Sequence, residues 1–304
     1  MTNLYNKETI RQLDQSMIKY HVSSAYELMT RASQSVLDII LKRFSSIHRL
    51  FIFCGQGNNA GDGYVLARLA ANKGIDIIVI SLVETTQLSG DALTACQDWK
   101  QQGSISFNSS ALEIQPADLI VDAILGTGLN RKLSSQWNET IELINQYTNV
   151  PVMAIDIPSG LDSNTGSLWG NTIKADITVT FIARKLGMYT SQARDYCGEI
   201  IFSSLGVPDS LYQQYSSSAS LLDWEQLQKQ IKPRLASSHK GSFGNVLIIG
   251  GNSTMSGSMI LAGQAALRSG AGLVKIINKK RKKGSSTILN YIFKKEMMNT
   301  SFKD

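Results

Sequence analysis

The stretch Leu50–Gly63 reads LFIFCGQGNNAGDG. Its apolar opening ends on a glycine, which is the pattern of a buried strand closed by a turn. Glycines stand at 55, 57, 61 and 63, and a helix-like run from Tyr64 to Ala71 follows. Strand, glycine loop and helix in this order bring backbone N–H groups and a helix N-terminus to a place where they hold phosphate. The spacing is not the strict G-x-G-x-x-G, so the loop by itself reads as readily as a plain βα turn. Asn58, Asn59 and Asp62, three polar side chains among the glycines, point to a loop that also reads a ligand.

Working outward, the apolar spacing of Ile10, Leu13, Met17 and Ile18 predicts a helix over 7–19. That of Leu28, Met29, Ala32, Val36, Leu37 and Ile40 predicts another over 24–44, capped by Ser23 or Ser24, with Glu27 completing a capping box. Downstream, strands are expected within 74–82, 104–107, 117–131, 151–162, 175–182 and 198–208, with helices over 91–103 and 134–147. Alternation of this kind makes an α/β domain with a largely parallel sheet and helices on both faces. Three strands run into unusual loops: CGQGNNAGDG, DAILGTGLNR (122–131) and DIPSGLD (156–162). The carboxyl ends of parallel strands share one edge of the sheet, and ligands bind there at a topological switch point. Asn58, Asn59, Asp62, Asp122, Asp156, Ser159 and the loop of Gly126, Thr127, Gly128, Leu129, Asn130, Arg131 and Lys132 are therefore expected to converge on one pocket.

The chemistry of these loops follows from their residue types. Asp156 stands between Ile155 and Ile157 and before Pro158-Ser159-Gly160. A carboxylate at such an edge is partly desolvated, and its pKa rises unless a cation compensates. It suits a general acid or base, or an anchor for a substrate hydroxyl. Asp122 reads equally as a cap of its own turn. Asn59, Asp122 and Ser159 offer only oxygen donors, without His or Cys. That set suits a hard cation of low charge and argues against zinc or copper. Glycine N–H groups beside Arg131 and Lys132 fit phosphates, with a solvated turn as the alternative.

Composition narrows the class. The chain has 304 residues, enough for one large domain or two, and no apolar run long enough for a membrane span. Its N-terminus is polar and lacks the apolar segment of a signal peptide. Cys54, Cys96 and Cys197 are isolated, which fits a reducing cytoplasm better than a disulfide framework. The net charge of +6 is local: from Lys275 onward nine Lys/Arg face two Asp/Glu, which leaves −1 for the rest. The basic balance therefore belongs to the tail and does not describe a nucleic-acid-binding face.

CGQGNNAGDGYVLAR (54–68), DAILGTGLNR and AIDIPSGLD (154–162), with SAYELMTRA (24–32) upstream, resemble the N-terminal epimerase domain of the bifunctional NAD(P)H-hydrate repair enzymes. The resemblance covers about residues 1–215. It implies a Rossmann-like three-layer α/β/α sandwich that interconverts the R and S epimers of hydrated NADH or NADPH. It further implies that Asn58, Asn59, Ala60, Gly61, Asp62 and Gly126 to Lys132 bind the hydrate, that Asp156 contacts the damaged ring, and that Asn59, Asp122 and Ser159 hold a potassium ion. No nucleic acid or membrane partner is implied, and a homo-oligomer is compatible. One departure is visible: Ala60 stands where the family usually has glycine, tolerable at negative φ and costly at positive φ. Related domains in RNA-decapping scaffolds keep this fold without the activity, so a non-catalytic nucleotide- or RNA-binding module is the alternative.

Residues 216–238 read as a linker with a short helix. From 239 to 276 the sequence is similar to the start of the ADP-dependent dehydratase half of the same enzymes, a ribokinase-like fold. From 277 to 304 it turns lysine-rich and loses its amphipathic pattern. The expectation is a truncated second domain that is poorly folded or exposes apolar surface and has no dehydratase activity, followed by an out-of-frame or foreign, disordered tail, with a basic targeting arm as the alternative.

Overall fold

The computed structural model describes residues 2–20, 24–107, 117–250, 256–282 and 285–293. It divides into two compact units, Met1–Gln226 and Leu227–Asp304. The first begins with a short strand β1 (Thr2–Leu4), followed by helices α1 (Lys7–Tyr20) and α2 (Ala25–Arg43). Ser24 caps α2 by accepting the Glu27 N–H at 3.1 Å, as expected of one of the two serines; Ser23 lies outside the described residues.

Then come β2 (Arg49–Cys54), α3 (Asn58–Ala71), β3 (Asp76–Ser81), α4 (Gly90–Lys100), β4 (Ile105–Ser106), β5 (Leu119–Ala123), α5 (Ser135–Gln146), β6 (Val152–Ile155), β7 (Ile177–Phe181) and β8 (Glu199–Ser203). Strands β2 to β8 form one seven-stranded sheet in the order β4-β3-β2-β5-β6-β7-β8, parallel at every pairing. The chain builds outward from β2 through β3 to β4, then returns to lay β5 on the other side of β2. The gap between β2 and β5 is the switch point.

The apolar run that opens the sequence explains the layers. Leu50, Ile52 and Cys54 face a core shared with α1, α2 and α3, while Phe51 and Phe53 face a second core under Ile141 and Ile144 of α5. All five are fully buried, because a parallel strand inside such a sheet has no solvent face.

The unit closes with α6 (Asp209–Tyr212) and β9 (Ala219–Leu221), and α7 (Trp224–Gln230) crosses its boundary. Strand β9 pairs antiparallel with β1, so part of the stretch expected as linker belongs to the first unit. Two further bonds extend this N-terminal anchorage: the Tyr5 N–H donates to the Arg184 carbonyl and the Leu186 N–H to the Tyr5 carbonyl, each at 2.9 Å.

In the second unit, β10 (Asn245–Ile249), α8 (Ser256–Arg268) and β11 (Leu273–Lys282) form a strand–helix–strand opening with β10 and β11 parallel. Leu247, Ile249 and Leu261 are exposed, in line with the expected open apolar surface. The stretch from 277, expected as a disordered tail, instead continues β11 and forms β12 (Ser285–Phe293), antiparallel to β11; residues 294–304 lie outside the described residues.

Candidate active site

The loops after β2, β5 and β6 do converge, and they line one cavity of about 1220 Å³ in the first unit. That exceeds the ~300–1,000 Å³ of a typical small-ligand pocket and suits a ligand of dinucleotide size. Asn58, Asn59, Asp62, Asp156 and the whole loop from Gly126 to Lys132 contribute to its wall.

The glycines of the opening stretch divide into two kinds. A Cβ on Gly55 would lie 2.0 Å from the Ile124 carbonyl oxygen, one on Gly61 2.7 Å from Met29 Sδ, and one on Gly63 2.6 Å from Ala123 Cβ. These three let β2, α2 and β5 approach α3 and its loop. Gly57 and Gly128 meet nothing within 4 Å. Gly57 is the N-cap of α3 without a side-chain bond, so the first N–H groups of that helix are left to a ligand at the cavity wall. Of these glycines and those of the 126–132 loop, Gly57 and Gly128 are the ones beside open space.

Ala60 and Gly61 do not line the cavity; Ala60 is fully buried in the core and its N–H bonds the Gly57 carbonyl. Ala60 is not among the residues of positive φ, so its methyl group is tolerated.

Asp156 follows β6 directly and takes φ 69°, a left-handed conformation that non-glycine residues adopt at a cost. Its carboxylate forms an ion pair with Lys185, which comes from the chain after β7. The Lys185 ammonium also donates to Thr180 Oγ1 at 2.8 Å and the Phe181 carbonyl at 3.2 Å, and the side chain is 1% exposed. Lysine buried so fully needs such a partner. Four more carboxyl groups line the cavity, and two of them, Asp62 and Asp14, act electrostatically with Asp156 and Lys185. Asp62, on the first turns of α3, is lifted well above the usual range by burial and by Asp156 and Asp14. Asp14, on α1, is raised to about 7 by burial, with Lys185 pulling it down and Asp156 pushing it up.

Neither Lys185 nor Asp14 is singled out by the sequence reasoning. Asp14 carried a signal: it sits four residues after Ile10, on the apolar stripe of its helix, where a carboxylate is out of place. Lys185 carried none beyond its position after a buried strand.

Asp122 and Ser159, expected at the pocket, do not line it; Asp122 is fully buried near the end of β5. Its carboxylate accepts the Ser159 N–H (2.8 Å), the Ser159 hydroxyl (2.6 Å) and the Ile124 N–H (3.1 Å). Burial still pushes it up to about 6. The Ser159 oxygen also accepts the Leu125 N–H at 2.8 Å. Asn59 is buried, and neither its amide oxygen nor its nitrogen finds a hydrogen-bond partner among the described residues. A buried amide left unpaired is costly, and a native structure has a reason for it. A cation bound by the amide oxygen is one such reason, so the donor set Asn59, Asp122 and Ser159 fits the potassium ion that the sequence resemblance implied. If those residues hold it, potassium chloride raises the melting temperature over choline chloride at equal ionic strength, by mass action on the folded state. Asn59→Ala removes that difference; equal melting in both salts for the wild type argues against the ion.

Residues 25–187 match the family model described as YjeF-related protein N-terminus. The chain belongs to the YjeF-related family. A second family model, NAD(P)H-hydrate dehydratase, matches residues 246–302. That match runs through the lysine-rich stretch, so the reading of it as foreign sequence does not stand. Proteins named bifunctional NAD(P)H-hydrate repair enzyme are similar over most of the chain. The one from Coxiella burnetii is 38% identical over 284 residues, 91% of this chain and 56% of the relative. The one from Escherichia coli is 39% identical over 254 residues, 84% of this chain and 49% of the relative. The chain thus spans about half the length of the curated relatives it matches. Among solved structures, yeast ynu0 superposes with a TM-score of 0.60 at 18% identity, over 72% of this chain and 98% of that one. At that identity the likeness concerns the fold alone. No helix among the described residues is long and apolar enough to cross a membrane.

Proposed function

We propose that the YjeF-related unit interconverts the R and S epimers of hydrated NADH or NADPH. The observation that carries this reading is the carboxylate of Asp156, held at φ 69° and paired with buried Lys185 on the wall of a dinucleotide-sized cavity at the switch point. The names of the relatives support the substrate. In this reading Asn58, Asn59, Asp62 and the loop 126–132 bind the hydrate. The open N–H groups at Gly57 and the exposed Arg131 and Lys132 take the pyrophosphate. Asp156 faces the damaged ring as general acid or base. Asn59, Asp122 and Ser159 would hold potassium, which when bound would supply positive charge to the site.

Catalysis rests chiefly on positioning and proton transfer, because the hydrate also epimerises unaided. The second unit carries no such assignment. Between 239 and 304 its only carboxylic side chains are Glu296 and Asp304, and we place no dehydration chemistry on it.

The test is epimer exchange followed by chromatography from pure R-NADPH hydrate in potassium buffer. The wild type accelerates exchange, and Asp156→Asn lowers the rate by ~10²–10⁴-fold. Exchange no faster than the uncatalysed rate in a folded wild type would overturn the reading.

A further inference from the structure

We propose that Asp14 is a second proton-exchanging residue of this site, acting opposite Asp156 on the ring hydroxyl of the hydrate; the proposal rests on the epimerase reading. Asp14 reaches the cavity from α1, Asp156 from the turn after β6, and both line the same cavity as Lys185. Three carboxyl groups, Asp14, Asp62 and Asp156, therefore meet one ammonium group. The ammonium is committed to Asp156. The two remaining carboxyl groups have no cation of their own in this cluster and retain protons where an exposed carboxylate has lost them.

Asp62 is lifted far by burial and by both neighbouring carboxylates, so it stays a donor. Asp14 is set near 7, where a group gives and takes protons with equal ease. Lys185 and Asp156 are the charged groups acting on it; the other charged side chains of the wall, Glu84, Asp91, Arg131 and Lys132, are not among them.

The chemistry asks for such a pair. A dihydronicotinamide ring is an enamine, and water added across it leaves a hydroxyl on the carbon bonded to the ring nitrogen. To invert that carbon, the C–O bond breaks with its electron pair going to oxygen, while Asp14 gives the proton that turns the hydroxyl into water. The nitrogen lone pair closes a C=N⁺ bond. A second water then forms a new C–O bond on the opposite face, the C=N⁺ electrons return to nitrogen, and a water proton passes to Asp156. Attack on a cation acidifies the incoming water, so a carboxylate paired with lysine is base enough. The reverse reaction exchanges the two roles, and solvent returns the proton between turnovers. No oxidant or reductant is needed.

The full chain is assayed with R-NADPH hydrate and potassium in ¹⁸O-water from about pH 5 to about pH 9, with the uncatalysed rate subtracted. The wild-type rate is expected to fall as pH rises through about 7, where Asp14 loses its proton. Each inversion is expected to exchange the hydroxyl oxygen with solvent. Asp14→Asn loses ~100-fold or more and loses that pH dependence, and Asp14→Glu regains part of both.

Folding is checked by melting, and the sign of that result is fixed. A carboxyl raised from 3.8 to about 7 contributes stability below 3.8 that is lost as pH rises through about 7. The asparagine variant therefore melts no lower than wild type at pH above about 8. A folded Asp14→Asn with the wild-type rate and pH profile, or inversion without oxygen exchange, overturns the proposal. A wild type that accelerates nothing overturns the epimerase reading instead.

Discussion

Asp156→Ala is expected to cost the first unit about 3–5 kcal/mol, because it strands a buried ammonium group without its counter-charge. Lys185 is 1% exposed, and once the carboxylate is gone its hydrogen bonds among the described residues are to Thr180 Oγ1 and the Phe181 carbonyl, with Asp14 and Asp62 acting on it through space. Two neutral acceptors do not replace a carboxylate in a medium of low dielectric constant. The backbone adds to the loss: alanine at φ 69° has no side-chain oxygen to make the left-handed conformation bearable, whereas asparagine adopts it readily. The expected order of stability is wild type, then Asp156→Asn, then Asp156→Ala. Adding Lys185→Met to Asp156→Ala removes the stranded charge and recovers most of the loss. Urea denaturation of the four proteins measures this directly. A loss under about 1 kcal/mol for Asp156→Ala means that the ion pair does not hold this part of the fold together.

Gly55→Ala is expected to abolish folding of the first unit or to lower its melting temperature sharply. The added methyl group would sit 2.0 Å from the Ile124 carbonyl oxygen and 2.9 Å from its carbon. Both are backbone atoms, at the point where β2 and β5 leave the sheet, and the Gly55 N–H already bonds the Ala123 carbonyl at 3.3 Å. Overpacking among side chains costs about 1–3 kcal/mol because side chains yield; here two strand ends must part. Gly57→Ala is the control. It meets nothing within 4 Å, and φ at Gly57 is −97°, open to any residue. That variant is expected to melt like the wild type and to bind the hydrate less well, since its methyl group enters the mouth of the helix. Similar melting of the two variants would show that the glycines are interchangeable, against the geometry.

The contrast between these glycines shows what the sequence made legible. A strand buried on both faces can be read from LFIFC alone, because no alternation of polar residues interrupts it. The switch point follows from three strands that each end in a polar turn, and the cap of α2 from a serine three residues before a glutamate. The use of each glycine is not legible, since it depends on what lies across the gap; Gly55 and Gly57 have the same letter and opposite surroundings. Strand β1 escaped because three residues have no periodicity and their partner, β9, lies at the other end of the unit. The ion pair escaped for a related reason: the Asp156 carboxylate was visible at a strand end, but its cation arrives from after β7 through a turn with no motif of its own. Asp14 is not legible as a site residue because it shares the apolar stripe of Ile10, Leu13 and Met17, whose spacing specifies core.

The bonds between Tyr5 and the chain on either side of Lys185 bear on how any preparation of this protein behaves. They make the first few residues part of the brace that sets the ammonium group. Proteolytic trimming up to Asn6 would leave the seven-stranded sheet and its far-ultraviolet spectrum intact while unmooring that brace. Two samples alike by circular dichroism would then differ in rate, and intact mass, measured batch by batch, is the quality control that tells them apart.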